Sequence, residues 1–248
     1  MKKVSLIFIL LIGFGCISYA QTITIGTQVW MTKNLDVATF RNGDPIPQAK
    51  TNEEWEKAGE NQQPAWCYYD NDPTNGAKYG KLYNWYAVND SRELAPVGYH
   101  IPSDAEWTKL TDFLGGESVA GTKMKSKSGW NSYTKGVGSK TCPNCVNWSA
   151  EYRRKVPCHT CKDSRSVSAP TTTHSGNGTN TSGFSGLPGG YRSFDGPFTT
   201  IGDYGYWWSS TEYATTNVWT RNLDYDLGTV GRDYYVKDEG FSVRCLRD

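Results

Sequence analysis

The sequence predicts an α+β domain of short helices, short antiparallel strands and long irregular loops. Three observations carry that expectation. One helix, between Gly98 and Gly116, has both of its ends written in the residues. One segment alternates Trp219, Arg221, Leu223 and Tyr225 with Thr220, Asn222, Asp224 and Asp226, the period of two that a half-buried strand requires. The 248 residues are 14% aromatic, with ten Trp, sixteen Tyr and 26 Gly, and long aliphatic runs are missing after the N-terminal stretch. Such a chain builds its core from rings on short segments joined by many turns.

Taken in order, Thr22–Ile25 and Gln28–Met31 read as two strands around the turn Gly26-Thr27. Asn34 to Phe40 reads as extended, and Arg41-Asn42-Gly43-Asp44-Pro45 as a turn. Thr51 with Glu54 forms a capping-box pattern that opens a brief helix carrying Trp55 and closing at Gly59. Ala65 to Tyr69 reads as a strand holding Cys67, followed by a polar loop from Asp70 to Gly80. Leu82, Trp85 and Tyr86 stand at i, i+3, i+4 and predict a second short helix.

The best-marked helix follows. Ser103 is its N-cap, Glu106 completes the capping box, and Asp104 and Glu106 oppose the helix dipole. Trp107, Leu110, Phe113 and Leu114 make its apolar stripe, and Gly115-Gly116 supplies the left-handed stop. After it, residues from about 122 to 183 are rich in Lys, Ser, Thr, Gly and Asn and are too polar to bury a core of their own. They read as an insert within one domain of residues 21–248. Strands return with Ile201 to Ser210, which holds the ring cluster Tyr204, Tyr206, Trp207 and Trp208. Leu227-Gly228-Thr229 turns the alternating strand back on Val230–Val236, and a last strand puts Phe241, Val243 and Cys245 on one face.

Residues 1–20 have the form of a secretory signal peptide: Lys2-Lys3, the apolar Val4 to Leu11, and Ser18-Tyr19-Ala20 as cleavage site. That apolar run is too short to span a bilayer, and no later segment replaces it. A lipoprotein anchored at Cys16 is the weaker alternative, since Gly13 stands where a Leu is usual. The expected location is secreted or on the cell surface, with the periplasm as the other exported compartment. A net charge of +1 with mixed signs gives no footprint for nucleic acid or anionic lipid.

Removing the signal leaves six of the seven cysteines. Export favours disulfides, and a Cys67–Cys245 bond would staple an early segment to the last strand; two separate buried thiols are the alternative. Cys142-Pro-Asn-Cys145 and Cys158-His-Thr-Cys161 are two Cys-x-x-Cys knuckles. Four thiolates at this spacing suit a tetrahedral structural Zn²⁺, with disulfides as the alternative. Neither knuckle opens a helix after a strand, the usual setting of a redox pair.

Tyr206, Trp207 and Trp208 are the candidate ligand-binding residues, because flat aromatic faces suit the C–H faces of sugar rings. Adjacent Trp207 and Trp208 point to opposite sides of a strand, so at least one is expected in the core, and ligand binding at the surface is the alternative reading for the other. Trp219 and Tyr225 are expected to face the core. Asp224, Asp226, Asp238 and Glu239 offer hard oxygens to Ca²⁺, the ordinary reading being a solvated strand edge. His100, His159 and His174 form no triad, and there is no nucleophile elbow or phosphate loop. No catalytic residue is assigned.

Several of these segments, in order, resemble the Fibrobacter succinogenes major paralogous domain. They are Gly26-Thr27-Gln28-Val29-Trp30-Met31 with Asn34-Leu35, Trp66-Cys67-Tyr68-Tyr69, the stretch Tyr79 to Val88, the capped helix, Leu187-Pro188-Gly189-Gly190-Tyr191-Arg192, Gly205 to Glu212, and Gly240-Phe241-Ser242-Val243-Arg244-Cys245. The resemblance covers nearly all of the chain after the signal except the cysteine-bearing insert. It implies an exported bacterial protein of a family whose biochemical role is largely undefined. More distantly, the Pro102-Ser103-Asp104-Ala105-Glu106-Trp107 helix start, the Gly-Gly-Tyr-Arg turn and the Gly-Phe-x-x-Arg strand are similar to formylglycine-generating enzymes. That likeness implies a C-type-lectin-like fold with two main short helices and adjacent first and last strands. Its copper-binding cysteine pair has no counterpart between Gly186 and Trp219, and the lectin calcium tripeptide is absent, so neither chemistry carries over. The expectation is a secreted or cell-surface, non-catalytic binding module for extracellular polysaccharide (a glycan) or a surface protein. The alternatives are a structural or assembly protein that docks a protein partner through the cysteine insert and, with less support, a diverged enzyme of the formylglycine-generating type.

Overall fold

The computed structural model describes residues 21–136, 139–141, 166–168 and 171–248. The expected signal peptide with Cys16, the four clustered cysteines and His159 lie outside the described residues. The chain opens with β1 (Thr22–Ile25) and β2 (Gln28–Met31), then α1 (Asn52–Glu60), β3 (Trp66–Cys67), α2 (Pro73–Tyr79), β4 (Leu82–Tyr83) and α3 (Trp85–Val88). Next come β5 (Tyr99–His100), α4 (Asp104–Phe113), α5 (Glu117–Met124), β6 (Ser132–Gly136), β7 (Ser139–Thr141), β8 (Ser166–Ser168) and β9 (Thr171–Ser175). The last part holds β10 (Tyr191–Arg192), β11 (Phe198–Thr199), β12 (Tyr204–Glu212), β13 (Asn217–Asp224), β14 (Val230–Val236) and β15 (Leu246–Arg247). Few helices and several small antiparallel sheets make this an organisation of the α+β kind.

Local chemistry explains the elements that the sequence marks. In α4, Ser103 Oγ accepts from the Glu106 N–H at 3.3 Å, and the Glu106 carboxylate accepts from the Ser103 N–H at 2.8 Å. Thr51 and Glu54 do the same for α1. Gly115 and Gly116 take φ of 101° and 95°, which stops α4. Trp107, Leu110 and Leu114 are buried, but Phe113 turns outward and lies against Gly26. Gly59 does not end α1; it sits inside the last turn, where a Cβ would come within 2.9 Å of the Asp238 carboxyl carbon. Leu82 pairs in β4 with Cys67 and is not helical. The supposed loop after Asp70 contains α2, opened by the Asp72 cap and by Pro73 in the first turn.

The first and last strands share a sheet of order β1-β2-β15-β5, with Leu246 opposite Trp30. A second sheet, β12-β13-β14, is antiparallel throughout. Strand β12 divides the core. Trp207 joins Trp30, Trp107 and Phe184 on one side, while Trp208 joins Trp85, Phe241 and Val243 on the other. The segments around β12 converge on Asn34. Its Oδ1 accepts from Trp207 Nε1 at 2.9 Å and from Arg244 Nε and Nη2 at 3.0 and 2.6 Å. Its Nδ2 donates to Tyr79 O at 2.8 Å and Ser242 Oγ at 3.1 Å.

The polar insert is narrower than the composition suggests. Met124 and Trp130 are core residues, and Gly176 already packs on Asn131 and Tyr225. The insert leaves through β6 and returns through β9, paired from Ser132↔Ser175 to Gly136↔Thr171. β7 and β8 form a second two-stranded ribbon with the same offset, from Ser139↔Ser168 to Thr141↔Ser166.

His100 closes the end of the first sheet. Its Nδ1 lies 2.8 Å from Asp248 Oδ1 and its Nε2 lies 3.0 Å from Glu106 Oε1. Burial opposes the charged ring, but bonds to the two carboxylates outweigh it and hold the pKa above the ordinary 6.5. The folded state therefore binds this proton more tightly than the unfolded chain does. The stabilisation is complete below pH 6.5 and is lost as pH rises through the raised folded value. His100→Gln is expected to remove that component, read as a flatter dependence of the urea midpoint between about pH 5 and about pH 9.

Candidate functional site

The rings that the sequence nominates are interior. Tyr206, Trp207 and Trp208 are 7%, 1% and 0% exposed, so none presents a face to a ligand. The alternation argument allowed one ring outside, but both faces of β12 are covered. Trp208 donates its indole N–H to Tyr83 O at 2.7 Å and packs on Phe241 at 4.6 Å between centroids. Tyr206 stacks on Phe241 at 4.9 Å. Trp207 is held by Asn34 and by Phe184, 5.7 Å away. Trp208→Ala is expected to cost about 3–5 kcal/mol in urea unfolding, where a surface ring would cost almost nothing.

The exposed aromatic surface lies at the other end of the same sheet. Tyr213 and Tyr234 are 48% and 50% exposed, and their rings stack at 4.1 Å with 10° between planes. Trp219, expected in the core, is only half-buried; it meets Tyr213 edge-on at 4.8 Å and Tyr234 at 6.1 Å. Strand register explains the grouping, since Trp219 and Tyr234 are direct cross-strand partners on β13 and β14. Tyr213 follows β12 in a bend held by its N–H donating to Asn217 O. Tyr225, by contrast, packs against the core as expected.

The charges around these rings are paired. The Arg232 guanidinium lies 3.7 Å from the Trp219 ring centroid and donates to both oxygens of Asp104, at 3.0 and 2.8 Å. Asp104 Oδ1 also accepts from Arg221 Nη1 at 2.8 Å. Burial would raise the Asp104 carboxyl, yet the two guanidiniums hold it below its ordinary value. Lys237 is bonded to Glu212 at 2.7 Å. The result is three clustered rings, two of them open to solvent, rimmed by amide and paired ionic groups. Such a surface can stack on C–H faces and hydrogen-bond hydroxyls.

The other expected sites resolve differently. Cys67 and Cys245 are free thiols, and the expected disulfide is not formed. Each is enclosed by its own shell, Cys67 with Ala49, Trp55 and Leu82, and Cys245 with Met31, Tyr83 and Val243. Burial pushes both thiols up to about 12. The calcium reading at Asp224 and Asp226 meets a lysine instead. Lys125 Nζ donates to the carbonyls of Asp224, Tyr225 and Leu227 at 2.8, 3.2 and 2.8 Å, so an ammonium sits in the oxygen cage of that turn. Glu239 lies apart from this turn, buried beside Asp195; burial lifts its carboxyl to about 7. His174 stacks on Tyr133 in the β6–β9 ribbon. Among the described residues, no group of three or more His, Cys, Asp or Glu side chains could hold a metal ion.

No helix among the described residues is long and apolar enough to cross a membrane. A family model described as Fibrobacter succinogenes major domain matches residues 23–247. No curated protein matches the chain, and no solved structure matches it.

Proposed function

The chain belongs to the Fibrobacter succinogenes major domain family, and on that premise we propose that it is a secreted, non-catalytic module that binds extracellular polysaccharide. The observation that carries this reading is the ring cluster Tyr213, Trp219 and Tyr234, open to solvent where neighbouring charges are already paired. A ligand stacked there gains ring contact without having to desolvate an unpaired ion, which favours neutral, hydroxyl-rich chains. No covalent step is involved. Both nitrogens of His100 are engaged by carboxylates, which supports a structural role for that residue. The same reading takes the fold as C-type-lectin-like, supported by the presence of the first and last strands in one sheet, where β2 lies between them.

A glycan array probed with the purified protein tests the proposal. Saturable binding to a neutral glycan is expected, weakened about tenfold or more in the Tyr213→Ala/Tyr234→Ala variant at an unchanged melting temperature. Undiminished binding by that variant, or no neutral glycan bound by folded protein, would overturn it.

The second reading, an assembly protein that docks a partner through the insert, is favoured by the shared offset of the β6–β9 and β7–β8 ribbons. The β7–β8 ribbon brings Thr141, next to Cys142, opposite Ser166, five positions after Cys161. We propose from the spacing of Cys142, Cys145, Cys158 and Cys161 that these thiolates hold one structural Zn²⁺. Elemental analysis is expected to find about one zinc per chain, released by a thiol-modifying mercurial. Zinc-free protein in which these cysteines resist alkylation until reduced would establish the disulfide alternative instead.

A further inference from the structure

A cleft of about 400 Å³ lies between the loop after β2, the end of α2 and the turn before β10. Its size falls in the range of small-ligand pockets. Three features shape it. Gly80, at φ 78°, sits where a Cβ would come within 2.8 Å of Leu35 O, so the close fit of the two segments leaves no room for a side chain. Ser185 holds φ 57°, pinned because its N–H donates to Asn180 Oδ1 and its Oγ accepts from Asn180 Nδ2, both at 2.8 Å. Asn34, on the wall, is fixed by the five bonds described above. The cleft is therefore preformed.

Its charge is one-sided. Lys33 and Lys78 line it, and neither has a carboxylate partner among the described residues. The one carboxylate on the wall, Asp36, is already paired with Lys81. Behind Asn34 stands the fully buried Arg244, whose donors meet, among the described residues, only Asn34 Oδ1, Met31 O and Phe184 O. Burial lowers its pKa to about 9, which leaves it charged at neutral pH. A cation in a low-dielectric wall with no counter-charge sends its field into the adjoining cleft. Thr32, Gln21 and Ser185 add groups suited to hydroxyls.

We propose that this cleft is a second subsite, which takes the carboxylate of an acidic sugar unit such as a uronic acid. The proposal rests on the polysaccharide-binding reading, and it concerns residues remote in sequence from Tyr213, Trp219 and Tyr234.

Calorimetric titration with a galacturonate trisaccharide and with its methyl ester, which removes the charge and adds only a methyl group to each carboxyl, tests it. The acid is expected to bind about tenfold or more tightly than the ester, and raising salt from about 20 to about 150 mM should weaken the acid alone. Lys33→Gln/Lys78→Gln should remove most of the acid's advantage over the ester while the melting temperature stays unchanged. Equal affinity for acid and ester, or an acid preference that this double substitution leaves undiminished, would overturn the assignment. So would inorganic phosphate competing as strongly as the sugar acid. The Tyr213→Ala/Tyr234→Ala variant separates the two readings. Retention of its acid-over-ester preference supports the cleft, and its loss of neutral-glycan binding bears on the rings alone.

Discussion

The fold depends on one side-chain amide. Asn34 Oδ1 accepts from Arg244 and Trp207, while its Nδ2 holds the end of α2 and Ser242. Those bonds join segments up to 210 positions apart in the chain. They matter because much of this chain is neither helix nor strand, and irregular backbone leaves carbonyl oxygens that must find donors when buried. A guanidinium carries five N–H donors and accepts nothing, so it can gather several such carbonyls at once. Arg192 repeats the device, donating to Gly196 O, Ala49 O and Thr51 O from a site with no exposed surface. The buried cations here are fasteners for loops. Removing one would leave its carbonyls unpaired as well as opening a cavity.

This division of labour bears on what family membership reports. The motifs that carry the resemblance are interior: Asn34, Tyr83, Trp85, Arg192, Trp207, Trp208 and Arg244 all bond or pack inside the domain. Tyr213 and Tyr234, the open rings, fall outside those motifs. Relatives can therefore share the frame and differ in what the open end of the β12-β13-β14 sheet meets.

Elements determined by neighbours in the chain were readable from residues. Both capping boxes, the β1–β2 hairpin and β14 from Val230 to Val236 lie where local chemistry puts them. α2 was also written locally, in Asp72-Pro73, but the polar composition around it hid the signal. The burial of both Trp207 and Trp208 was not readable. It depends on what covers each face of β12, and those partners are Phe184 on one side and Phe241 on the other. Tyr234 could have been found by counting, because it stands as far after the turn at Asp226 and Leu227 as Trp219 stands before it. The partner of the Asp224–Leu227 turn could not, since Lys125 is about a hundred positions away and nothing local points to it.

That lysine sets how the turn responds to its surroundings. Oxygen cages of this kind commonly recruit a dissolved divalent ion, and their order then rises and falls with its concentration. Here the positive charge is covalently attached, so its local concentration is set by the fold and not by the medium. At the β13–β14 end the cation is part of the chain, so its supply does not depend on the hardness of the surrounding fluid.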